Sequence, residues 1–156
     1  MNKLFAVPVI ALMVAIIASG CTQRIGDFTI ISSKNVEIGG KYKMLVRQEG
    51  VHKISMILGI PIGTPDLKQA VDNCIEAGKG DLLANAVIES NYWTAIVYGQ
   101  AGYKVIGDVW GKASMSDLHA PDVELFDLTP SESGYELVSS SDPTKSFRVD
   151  FFIASR

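Results

Sequence analysis

The sequence predicts an α+β domain: a mostly antiparallel sheet with one packed helix over residues 65–77, plus a β-rich or loop-rich C-terminal extension. Three observations lead there. Several segments rich in β-branched and aromatic residues are separated by glycine-containing turns. One stretch, Pro65 to Ala77, repeats apolar residues at helical spacing on a single face. A helix with one apolar stripe needs a surface to cover, and a sheet supplies it.

The elements follow in order. Asp27 to Asn35 is β-branched and reads as a strand, closed by the turn Glu37-Ile38-Gly39-Gly40. Lys41 to Arg47 reads as a second strand, broken at Gln48-Glu49-Gly50. Val51 to Ile60 is a strand or an extended lead into Pro61. Thr64 then caps a helix, with Pro65 at its first position and Asp66 complementing its dipole. Leu67, Ala70, Val71, Cys74 and Ile75 form its apolar stripe, and Gly78 and Gly80 end it. Asp81 to Ser90 fits helix or strand; its brevity and Val87-Ile88 favour a strand from about Ala84. Tyr92–Tyr98 and Tyr103–Trp110 read as strands joined by a loop holding Gly99 and Gly102. In the tail, Val123–Leu128, Tyr135–Ser139 and Ser146–Ala154 are short candidate strands. They form either a hairpin added to the same sheet or a loosely attached extension. Phe147, Val149, Phe151 and Ile153 alternate cleanly, as a half-buried strand does.

The N-terminus carries a different signal. Lys3 precedes an apolar run from Leu4 to Ala18, about 15 residues, short of the ~20 that cross a bilayer core as a helix. Small residues follow, then Cys21. This is the layout of a cleavable secretory signal, to be cut near Gly20 or kept as an uncleaved anchor. Ala18-Ser19-Gly20-Cys21 resembles the lipobox of bacterial lipoproteins, although Ala18 stands where Leu, Val or Ile is usual. The resemblance implies a cut between Gly20 and Cys21 and makes Cys21 the lipidation site, carrying acyl chains such as palmitate. It also implies outer-membrane sorting with the domain in the periplasm, because Thr22 and not Asp follows the cysteine. Thr22 to Gly26 then reads as a tether of about five residues, reaching at most ~18 Å. The expected organisation is a signal peptide over 1–20, a lipid-anchored α+β domain over 21–112, and an acidic extension over 113–156 packing on the same domain.

About 136 residues remain after the signal, enough for one domain with its own core. The net charge of −3 offers no basic field for nucleic acid. Basic residues dominate from Cys21 to Ile60 and acidic ones from Ser114 onward. Either both are solvated faces, or the basic part meets anionic headgroups. Cys74 alone remains once Cys21 is acylated, so no disulfide within the mature monomer staples the fold, and its place on the apolar stripe makes it a buried, inert thiol.

Little in the chain points to catalysis. No Gly-x-Ser-x-Gly elbow occurs, and Gly107 to Lys112 lacks the spacing of a phosphate loop. His52 sits in an apolar run as a strand or loop residue. His119, with Asp117 and Asp122, supplies metal-ligand types at a spacing that does not converge on one helical face. Tyr92, Trp93, Tyr98, Tyr103 and Trp110 cluster in a short region; most suit core or cross-strand pairs, and any that share an exposed face would make an interaction patch.

Gly26 to Val36, Pro65 to Val71 and Tyr103 to Val109 resemble the body of small bacterial lipoproteins of the TRL-like group. The resemblance spans roughly Cys21 to Lys112. It implies an α+β domain on a lipid anchor and carries over no catalytic residues. The expectation is a membrane-anchored envelope lipoprotein with a non-enzymatic binding or structural role, no cofactor, a membrane contact through Cys21 and an envelope protein partner. The alternative is a periplasmic small-ligand or metal-binding module.

Overall fold

The structure, a computed structural model, describes residues 19–95, 97–132 and 134–149. Most of the signal segment, and Phe151 and Ile153 of the expected last strand, lie outside the described residues. The strands are β1 (Ser19–Ile31), β2 (Lys41–Ile57), β3 (Ile60–Ile62), β4 (Leu82–Ala95), β5 (Tyr98–Lys112), β6 (Phe126–Ser131), β7 (Gly134–Ser139) and β8 (Ser146–Val149). Helix α1 (Leu67–Ala77) joins β3 to β4. The sheet order is β1-β4-β5-β2-β6-β7-β8, with β3 on β2, and every pairing is antiparallel.

The α+β expectation is overturned. Among the described residues the fold is mostly antiparallel sheet, 60% strand, and the sheet curls into a nearly closed barrel with one α-helix outside it. β8 returns to the neighbourhood of β1. The physical reason is strand length. Gln48-Glu49-Gly50 does not break β2, which pairs with β5 from Tyr42 to Ile57. Asn91 does not break β4, which pairs with β5 through to Ala95↔Tyr98. Glycines that read as turn signals sit inside strands. At Gly50 a Cβ would overlap the Ala70 carbonyl oxygen and the Cys74 backbone nitrogen, so the glycine lets α1 lie directly on β2. At Gly102 a Cβ would meet the His52 carbonyl of the neighbouring strand. The β4–β5 turn therefore falls before Tyr98, not across Gly99 to Gly102.

Register shifts fall at Arg24/Gly26 on β1, Met44/Val46 on β2 and Ala84/Val87 on β4. Bulges bend a strand and increase its twist. Three together curl the sheet toward closure. Asn85, inside the β4 bulge, takes a φ of 48°, a left-handed conformation that asparagine tolerates better than most residues. Its side-chain amide donates to Asp108 Oδ2 at 3.1 Å, and Arg47 Nη1 meets Asp108 Oδ1 at 2.7 Å.

The sheet has a core on each face. Outside the barrel, Ala70, Val71, Cys74 and Ile75 of α1 pack on Leu83, Ala86, Ile88, Val105 and Val109. Inside, Ile30, Tyr42, Leu82 and Trp110 meet Phe126, Leu128 and Leu137 of the tail strands. Of the two tail arrangements weighed, the hairpin added to the same sheet is the one observed. The helix is capped by Asp66, whose carboxylate accepts from the Lys68 and Gln69 N–H groups, and not by Thr64. The uneven charges find each other: Lys41 pairs with Asp127 at 2.9 Å and Lys43 with Asp117 at 2.6 Å. These pairs close the tail onto the sheet at the end remote from Cys21.

Candidate functional site

Cys21 does not sit on a flexible tether. It is exposed and lies within β1, opposite Tyr92 of β4, and the chain enters that strand at Ser19 opposite Thr94. The expected five-residue leash is strand: Thr22↔Asn91, Gln23↔Ser90 and Arg24↔Glu89 are paired. The β-propensity of this stretch is unremarkable, and its pairing with the long β4 is a tertiary effect that local composition does not carry.

The register places three strand ends beside Cys21. Gly20, Trp93, Gln100, Ser55 and Ile62 form one cross-strand row; Ala95, Tyr98, Ile57 and Ile60 form the outermost. Paired residues share a face of a sheet, so Trp93, Tyr98, Ile57, Ile60 and Ile62 lie on one face and Cys21, Tyr92 and Ile54 on the other. The Trp93 and Tyr98 rings meet edge to face, with centroids 5.6 Å apart. Gln100 ties them together: its carbonyl accepts from Trp93 Nε1 at 3.3 Å and its amide donates to the Tyr98 hydroxyl at 3.1 Å. Hydrogen bonds from Ser55 and Gln100 hold the Tyr98 phenol below its usual range. The two turns are joined by Leu58 N–H donating to the Val97 carbonyl at 2.9 Å.

Leu58 is 69% exposed and Ile60 68%, with Ile57, Ile62, Tyr92, Trp93, Val97 and Tyr98 also exposed. Large aliphatic side chains at such exposure, several together, are unusual on a soluble monomer surface. Sequence reasoning missed the aliphatic half of this patch. The signal was present: residues 54–65 hold five large aliphatic side chains and no charge, but were read for their place in the chain and not for what they leave uncovered.

The five aromatics expected as a patch separate. Trp93 and Tyr98 touch, and Tyr92 is exposed on the opposite face. Tyr103 is partly buried against the helix-side core. Trp110 is buried inside the barrel at the far end, edge-on to Phe126 with centroids 4.9 Å apart.

The metal-ligand candidates are not brought together. His119 Nδ1 is engaged with the Met115 carbonyl at 3.0 Å. Asp117 is held by Lys43 and by the Ser114 hydroxyl at 2.6 Å, and Asp122 is not in this network. Among the described residues no three His, Cys, Asp or Glu side chains are placed to hold one metal ion. His52 Nδ1 accepts the Asp66 N–H at 3.0 Å, a helix-entry bond. The Cys74 thiol is buried, donates to the Gln48 carbonyl at 3.3 Å, and is pushed up in pKa by that burial.

The Lys43–Asp117 pair gives a pH prediction. The Lys43 ammonium and the Ser114 hydrogen bonds lower Asp117 from the ordinary 3.8 to about 2. A depressed carboxylate stabilises the fold above its unfolded pKa and loses that contribution as pH falls through the folded value. Urea midpoints measured between neutral pH and about 2 are expected to drop more steeply below pH 4 in wild type than in Asp117→Asn. Parallel curves for the two proteins would refute the pairing.

Comparison with family models, curated proteins and solved structures gives no match for this chain.

Proposed function

We propose that this protein is a lipid-anchored lipoprotein of the bacterial envelope, with a binding or structural role and not a catalytic one. The signal is cut between Gly20 and Cys21, the Cys21 thiol and new N-terminus are acylated, and the body faces the periplasm at the outer membrane. One observation carries the reading: an apolar run ends in Ala18-Ser19-Gly20-Cys21, and that cysteine is exposed. An acyl-accepting thiol must be reachable, and Cys21 is. Cleavage there removes the pairs Ser19↔Thr94 and Gly20↔Trp93 and leaves β1 to begin at its acylated residue. Two further facts support a non-catalytic role. His52 is spent on a helix-entry hydrogen bond and His119 on the Met115 carbonyl. The Cys74 thiol is buried with a raised pKa, the reverse of an activated nucleophile.

Palmitate labelling and intact mass test the anchor. Wild type is expected to start at Cys21, to carry added acyl mass and to fractionate with outer membranes, while Cys21→Ser carries no label. A native product that begins at Met1, or an unlabelled wild type, would remove the lipoprotein reading.

A further inference from the structure

We propose that the charge-free end of the sheet, formed by the β2–β3 and β4–β5 turns beside Cys21, is a lipid-bilayer contact that seats its apolar side chains at the headgroup–acyl boundary. The placement of the anchor in this inference rests on the lipoprotein reading above; the surface itself stands on independent observations.

The first is reach. α1 lies on β2 at Gly50, and β6 joins β2 only at Lys41 and Tyr42. The helix N-cap Asp66 touches β2 at His52, and from His52 the sheet runs five residues farther to Ile57, about 17 Å, beyond the helix and the tail strands. The second is composition. Residues 19–23, 54–65 and 90–103, the three segments that build this end, contain no Asp, Glu, Lys or Arg. Charges resume behind it with Arg24, Lys53 and Lys104. Turns at a solvated sheet end are normally polar. This one presents Leu58 and Val97 at its tip, Ile60 and Tyr98 in the outermost paired row, and Ile62 and Trp93 in a row behind. Aliphatic side chains at the tip, with Trp and Tyr among those behind and their polar tips hydrogen-bonded, is a mix that suits a membrane interface.

The third observation selects the bilayer over any other occupant. β1 is antiparallel to β4, so the chain enters β1 from this end, and the apolar run Leu4 to Ala18 precedes that entry. Acylated or uncleaved, the hydrophobic attachment leaves the fold where the apolar turns are. Because Cys21 is itself paired in the sheet, no slack separates anchor from body. The outer row, at Ala95, lies three residues beyond Tyr92, the partner of Cys21, about 10 Å. Acyl chains on Cys21 can enter the bilayer with β1 intact only if the turns descend with them, to roughly the 5–10 Å depth that interfacial segments occupy. The surface then acts as an additional membrane-binding signal beside the acyl chains.

The chain has two tryptophans, which makes a direct test. Trp110 is buried ten residues along β5 from Gln100, the partner of Trp93, about 33 Å away, and serves as an internal baseline. Wild-type protein purified from membranes is mixed with phosphatidylethanolamine–phosphatidylglycerol vesicles with and without acyl-chain bromination, floated, and read by tryptophan emission. Trp93 emission is expected to shift to the blue and to be quenched by bromine. Trp93→Phe should leave an unquenched Trp110 signal, and Leu58→Asp with Ile60→Asp, both at exposed sites, should float yet lose the quenching. Protein that is acylated and floats but whose Trp93 ignores bromine overturns the inference and leaves the lipoprotein reading standing; that outcome includes a turn surface covered by a second copy or another protein. Unacylated protein that still floats and is quenched retains the inference and removes the reading. Unacylated protein that stays free of vesicles removes both.

Discussion

Gly50→Ala is expected to destabilise the protein nearly as much as Gly50→Val, by about 3 kcal/mol or more. The usual rule, in which alanine is the mild replacement for a strand glycine, fails here for a geometric reason. The atoms that a Cβ would strike are backbone atoms of α1, the Ala70 carbonyl oxygen and the Cys74 nitrogen. A side-chain tip can rotate away from an intruding methyl; a helix backbone cannot without lifting off the sheet. Lifting it uncovers Ala70, Val71, Cys74 and Ile75 together with Leu83, Ile88, Val105 and Val109 beneath. Against a total stability of about 5–15 kcal/mol for a domain, that loss moves the urea midpoint far enough to be unmistakable. Alanine at this position with an unchanged midpoint would mean that α1 does not lie on Gly50.

The same glycine shows why the sequence predicts the helix well and the sheet poorly. Leu67, Ala70, Val71, Cys74 and Ile75 recur at a spacing that depends only on local geometry, so the helix and its buried face are legible within a residue or two. Its cap is less so: Thr64 and Asp66 both suit the role, and the register of the first turn decides for Asp66. Strand limits depend on partners elsewhere in the chain. Gly50, Gly99 and Gly102 read locally as breaks because a glycine needed for close approach looks the same as one needed for a turn. Three such misreadings turn long strands into short ones, and short strands with a helix suggest α+β. The tail posed the converse difficulty. Its strands are short and polar enough to float free; Lys41–Asp127, Lys43–Asp117 and the Trp110–Phe126 contact, all distant in sequence, are what hold it.

At the site, Ala18-Ser19-Gly20-Cys21 stands out because it is a local pattern, and Trp93 and Tyr98 because aromatics stand out by type. What local reading could not supply is that β1 extends to Ser19 and carries the cysteine to the same end as the β2–β3 turn. The proposed anchor at Cys21 and an apolar rim tens of residues away become one surface only through register.

Trp110→Ala is expected to cost about 3–5 kcal/mol, the range for removing a large buried aromatic. Trp110 is the hinge of the inner core. It is buried, edge-on to Phe126 at 4.9 Å and to Phe147 at 5.8 Å, and so joins β5 to strands β6 and β8 across the barrel. Truncation opens a void between them and removes two ring contacts. Trp110→Phe separates ring packing from the indole N–H. Nε1 is buried with no hydrogen-bond partner, and burying an unsatisfied donor costs about 1–3 kcal/mol. Phenylalanine gives up ring volume but also removes that donor, so the two effects oppose, and the expected loss is under about 1.5 kcal/mol. Equilibrium urea unfolding of the three proteins reads the difference. A phenylalanine variant as damaged as the alanine variant would show that the indole N–H is satisfied in solution and that the inner core is held by that bond as well as by the stacked rings.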